Sequence, residues 1–123
     1  MKLIQIICAL LVLTAIASAS VSNRDCSLDT KVIGSWKQDG ITITQYSITI
    51  ENHTNKIIKS IHIATDRTLT LRDSSSIWNM EKHSNELTLP AGQSTIAAHS
   101  SHTFYCILNG TTRPNLYIKS ISF

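Results

Sequence analysis

The sequence predicts an all-β fold, an antiparallel β-sandwich of about eight short strands, and three observations carry that expectation. β-Branched Ile and Thr are abundant while helix formers are few. Apolar and polar residues alternate with a period of two in the clearest segments. Clusters of Gly, Asn, Asp, Ser and Pro recur between those segments at short intervals, as turns do.

Taken in order, the first candidate strand covers 31–36 and ends before the Asp39-Gly40 turn signal. The second, 45–50, alternates cleanly: Tyr46, Ile48 and Ile50 share one face, and Gln45, Ser47 and Thr49 the other. After the polar run 52–55, Ile57, Ile61 and Ile63 share a parity, with Ser60 and His62 opposite. Further strands are expected at 68–71, 77–80, 85–89, 102–108 and 116–123. Turn signals at 73–76, Pro90-Ala91-Gly92 and Asn109-Gly110 separate several of them.

The start of the chain reads as an export signal. Lys2 precedes an apolar run over 3–16, which ends in the small residues Ala17-Ser18-Ala19. The expected signal peptide is 1–19, with cleavage after Ala17 as the near alternative. The run is shorter than the roughly 20 residues needed to span a bilayer, and no other stretch is long enough. The expectation is a single domain over 20–123, secreted and extracellular, in a wall or matrix, with no membrane association after cleavage.

Two cysteines, Cys26 and Cys106, remain once Cys8 leaves with the signal. In an oxidising compartment a single disulfide is the default reading, against two free thiols. It would close a loop of about 80 residues, worth ~4 kcal/mol in the chain-entropy model. Two sequons, Asn52-His53-Thr54 and Asn109-Gly110-Thr111, fall at expected turns and make Asn52 and Asn109 candidate N-glycan acceptors.

The formal charge of +3 is scattered rather than clustered, which argues against a nucleic-acid partner. The five histidines read as surface or loop residues. No ligand spacing points to a metal or other cofactor. The acidic residues sit mostly beside turns, and no nucleophile elbow is present, so the chain reads as a non-catalytic protein.

Trp36 and Trp78 both stand beside turns. Each is either a core residue reaching inward or an exposed indole that can lie against the C–H face of a sugar ring. The residues Ser35-Trp36, Gly40-Ile41-Thr42, Tyr46-Ser47, Asn52, Ile58-Lys59-Ser60-Ile61 and Ile77-Trp78-Asn79-Met80, with Leu87-Thr88-Leu89-Pro90, Phe104 and Ile107 after them, resemble the family 49 carbohydrate-binding modules. Those are cellulose-binding β-sandwiches, some of them small secreted proteins of slime moulds, and the likeness covers roughly 30–123. The resemblance implies a polysaccharide partner, cellulose or another β-glucan, stacked on Trp36 and Trp78. Gln38, Asp39 and Asn79 are nearby hydrogen-bonding candidates. A third family aromatic falls on Ile43, and the family's tyrosine after a glycine falls on Cys106 in Tyr105-Cys106. The rival expectation, supported by Ile43, is a structural or adhesion protein that has kept the fold and lost glycan binding.

Overall fold

The computed structural model describes residues 25–123, so the expected signal peptide lies outside the described residues. Among the described residues, eight strands form two four-stranded antiparallel sheets. They are β1 (Cys26–Gln38), β2 (Ile41–Asn52), β3 (Ser60–Thr65), β4 (Ile77–Trp78), β5 (Glu81–His83), β6 (Glu86–Thr88), β7 (Ser101–Asn109) and β8 (Leu116–Ser122). One sheet runs β1-β2-β7-β4 and the other β5-β6-β3-β8. This is the β-sandwich the alternation predicts.

The first hairpin shows how local chemistry sets register. Asp39 and Gly40 have φ of 52° and 78°, the two left-handed residues of a type I′ turn, whose twist matches that of the flanking strands. Gln38 therefore faces Ile41, and pairing runs from there to Cys26 opposite Asn52. Tyr46, Ile48 and Ile50 of β2 then point inward with Phe104 and Leu108 of β7, against Ile61, Ile63 and Leu87 of the facing sheet. At about 1.5–3 kcal/mol for each fully buried side chain, these residues are the main source of the domain's stability.

Three expected elements differ. Ile57 is 52% exposed whereas Ile58 is fully buried. Ile58 exchanges two backbone hydrogen bonds with Ile96, and β3 begins only at Ser60, so the inward parity is not continuous across 57–63. The segment 68–71 is not a strand; only Leu71 makes a bridge, to Leu108. Asp66 takes up its start, accepting from the Thr68 amide and hydroxyl, a local turn that competes with a ladder. The strand expected at 85–89 is short and pairs with an unforeseen neighbour, β5.

The disulfide expectation is not met: Cys26 and Cys106 are both free and buried. Cys26 lies opposite Asn52 on one flank of β2, and Cys106 opposite Tyr46 on the other. Six residues of strand separate those levels, about 20 Å. A disulfide needs α-carbons within about 7 Å. Burial, with a smaller contribution from Asp25, pushes the Cys26 thiol up to about 11. Burial alone pushes Cys106 up to about 12.

The glycan expectation at Asn52 also fails on geometry. Asn52 is only 2% exposed. Its Nδ2 donates to the carbonyls of Lys56 (2.8 Å), Ala97 (3.1 Å) and Ile96 (3.2 Å). Its Oδ1 accepts from the amide and hydroxyl of Thr54. The sequon threonine thus helps lock the asparagine inward, and the amide a glycan would occupy is the tie between two loops. Histidine is likewise not all surface: His102 is buried.

Two measurements follow from this packing. Cys26 and Cys106 should resist a thiol reagent at pH 8 in the native protein and react after unfolding. Labelling of neither residue after unfolding without reductant would mean they are bridged. Asn52→Ala should cost ~3 kcal/mol in denaturant unfolding, because it strands buried carbonyls as well as removing their donor. A change below ~0.5 kcal/mol, typical of surface substitutions, would show that this tie carries no stability.

Candidate functional site

The outward face of the β1-β2-β7-β4 sheet carries both tryptophans. Pairing places Trp36, Ile43 and Asn109 in one row, and Gly34, Gln45 and Ile107 in the next. A further row holds Lys31, Ser47, Tyr105 and Trp78. Trp36 and Trp78 are 37% and 43% exposed. By strand geometry their α-carbons lie about 20 Å apart on a diagonal of the sheet.

Trp36 reaches this face because of a bulge. Val32 pairs with Tyr46 but Gly34 with Gln45, so Ile33 is an extra residue in β1. Without it Trp36 would have the inward parity of Val32. Ile33 itself turns outward, lining a shallow depression of about 260 Å3 with Gln45, Trp78 and Tyr105. A β-carbon on Gly34 would lie 3.8 Å from Cζ3 of Trp36, which puts the six-membered ring of the indole beside the glycine. The indole thus leans along β1 towards the depression.

Trp78 is held from both sides. Before it, the Asp73 carboxylate accepts from the Ser75 amide and from the Ser75 and Ser76 hydroxyls. The Ile107 amide donates to the Ser76 carbonyl. After it, Nε2 of His102 donates to the Asn79 carbonyl at 2.6 Å, fixing a residue at φ 65°. Ile77 packs against the core, so the two-residue alternation turns Trp78 out.

Ile43 shares the row of Trp36 but is 2% exposed and stands apart from the inter-sheet core. With Ile107, also buried on this side, it forms the apolar floor of the face. It therefore cannot touch a ligand, which corrects its assignment as a binding position. Tyr105, directly beside Trp78, is the aromatic that sequence reading passed over. Its signal was present: it is out of phase with Phe104 and Cys106, hence on the opposite face. Of the polar candidates, Gln38 shares the outward parity of Trp36 and is exposed. Asp39 sits at the hairpin tip, and the Asn79 amide reaches the Thr103 carbonyl at 3.4 Å.

Among the described residues, three carboxylates are held in their ionised form. Hydrogen bonds from Thr68 lower the Asp66 pKa, those from Ser75 and Ser76 lower Asp73, and Lys119 with His62 lowers Glu86. A general acid needs the opposite shift, so these three are not candidates for that role. Among the described residues no cluster of three or more His, Cys, Asp or Glu could hold a metal ion.

The family model described as "Carbohydrate binding domain CBM49" matches residues 26–109. The chain is a CBM49 carbohydrate-binding domain. Stalk-specific proteins A and B of Dictyostelium discoideum are each 50% identical to it over 109 residues, covering 81% of this chain and 69% of theirs. Among solved structures, chitinase ChiA74 from Bacillus thuringiensis matches with a TM-score of 0.57 at 20% identity. The GH20 exo-β-N-acetylglucosaminidase from Vibrio harveyi matches at 0.55 and 11%. The match to the chitinase covers 75% of this chain and 15% of that enzyme, and the match to the glucosaminidase 76% and 17%; at these identities they support the fold alone.

As a CBM49 domain the chain is a carbohydrate-binding module whose face is built on Ile43 rather than through it. Ile43→Tyr should therefore overpack the floor and destabilise the domain by ~1–3 kcal/mol, the usual cost of added volume in a packed site. An unchanged melting temperature with tighter polysaccharide binding would mean that position 43 can open to the ligand.

Proposed function

We propose that this CBM49 domain is a secreted, non-catalytic module that binds an extended β-linked glucan, cellulose or a close relative. Sugar rings stack on Trp36, Tyr105 and Trp78, and Gln38 and Gln45 supply hydrogen bonds from the same face. The observation that carries this reading is the exposure of both indoles on one open sheet surface, with Tyr105 directly beside Trp78 at one end of it. An open strip of that length suits a linear chain better than a single sugar, which would touch only one ring. The indole offers an apolar body to ring C–H groups while its N–H edge stays hydrated. Such binding needs no metal or other cofactor.

The resemblance to cellulose-binding modules and the stalk named in both Dictyostelium relatives support a structural polysaccharide as the ligand. Ile43 no longer favours a protein that has lost binding, because that position is floor and Tyr105 supplies a third ring. The export signal expected over 1–19 is the basis for secretion.

The test is retention of the protein on insoluble cellulose, with chitin and xylan as comparators. Each stacked ring should contribute about 1–3 kcal/mol, by analogy with base–aromatic stacking on open β-surfaces. Trp36→Ala and Trp78→Ala together should then weaken binding by about one and a half to four decades, since about 1.4 kcal/mol is tenfold. The melting temperature should barely move, whereas losing a core tryptophan would cost ~3–5 kcal/mol. Wild-type retention by both single variants, or unfolding of both, would refute the stacking platform.

A further inference from the structure

The two sequons have opposite fates in this fold. Asn52 is locked inward, as described above, while Asn109 is exposed at the end of β7. Its backbone is fixed. The Asn109 amide donates to the Thr70 carbonyl (2.8 Å) and the Thr70 hydroxyl to the Asn109 carbonyl (2.9 Å). The next amide, of Gly110, donates to the Thr42 carbonyl (2.6 Å). With the backbone held there, the alternation along β7 decides where the side chain goes. Leu108 is in the core, so Asn109 projects onto the outward face.

That face is the one carrying the tryptophans. Asn109 pairs with Ile43, and Ile43 with Trp36, so Asn109 and Trp36 flank the same floor residue. They are two strands apart, about 10 Å between α-carbons. A sugar attached to the Asn109 amide nitrogen starts beyond the side chain, on the same outward face as the Trp36 indole and in the same row of the sheet.

We propose that Asn109 is an N-glycan acceptor and that its glycan lies across the Trp36 end of the face, so that occupancy of this sequon sets how much of the platform is open. Where the face binds polysaccharide, a step that rests on the function proposed above, the attached glycan competes with the chain in solution. The physical basis is effective concentration: a tethered sugar held near one indole meets it far more often than a free chain end does. Trp78 and Tyr105 lie at the other end of the diagonal, so the glycan reduces binding without abolishing it.

The chain has two tryptophans, so Trp78→Phe leaves Trp36 as a single fluorescent reporter. Protein in that background is collected from the medium of a eukaryotic host, where its N-terminus should lie at or near Ser20. Thr111→Ala removes the sequon and Thr111→Ser keeps it; both change an exposed side chain. Peptide mass analysis should find a glycan on Asn109 in the parent and the Thr111→Ser form. Acrylamide should quench Trp36 severalfold more strongly in Thr111→Ala than in either glycosylated form. Absence of a glycan at Asn109, or equal quenching in all three, overturns the proposal. With Trp78 restored, Thr111→Ala should be retained on cellulose more strongly than the glycosylated protein, and equal retention overturns the competition. Loss of retention by every form alongside the quenching difference would refute the binding function and leave the glycan–indole contact standing.

Discussion

Trp36 faces outward because β1 carries one residue more than β2 between Val32 and Gly34. In a strand every side chain's face is set by counting, and one inserted residue reverses every position beyond it. Lys31 is outward before the bulge and Trp36 after it, although they differ by an odd number. The alternative register would turn a large indole towards the interior and bring Ser35 outward in its place. The bulge residue is used as well, since Ile33 supplies an apolar wall for the depression beside Trp78.

The inward face leaves the outward one free to be flat. Tyr46, Ile48, Ile50, Phe104 and Leu108 meet the second sheet, and both thiols are absorbed there without a covalent link. Outside, Ile43 and Ile107 are small enough to be covered by their neighbours, so the surface has a floor rather than a groove. Trp78 is on a two-residue strand that could not hold itself, and its position is imposed by the Asp73 turn before it and the His102 clamp after it. Its orientation is therefore decided by residues outside its own strand.

Much of this was legible in the sequence, and what was not has physical causes. Alternation over 45–50 was read correctly because β2 lies central to its sheet, with one face in the core. Asp39-Gly40 was read correctly because few turns require two left-handed residues in succession. The bulge leaves no compositional mark, so parity does not tell which face Trp36 takes; its place beside a turn and the family resemblance are what point to it. Tyr105 alternates out of phase with Phe104 and Cys106, and its place beside Trp78 depends on strand pairing that composition does not reveal. The disulfide expectation came from a count of cysteines, and a count carries no register; β2 places the two some 20 Å apart. Asn52 fits the sequon pattern, but the pattern does not say that three carbonyls converge on its amide.

The bulge also bears on solubility. β1 is an edge strand of 13 residues, long enough to template pairing with another chain. Several features blunt that edge. Lys31 and Lys37 place charges along it, and Arg113 donates to the Thr30 carbonyl at 3.0 Å, occupying an acceptor there. The bulge breaks the even spacing of the remaining groups and increases the local twist. A module that presents apolar rings on an open sheet face needs such protection, because Val32 and Ile33 stand half-exposed beside that same edge. One inserted residue thus serves both ends: it turns Trp36 to the outward face and breaks the regular spacing of the exposed edge.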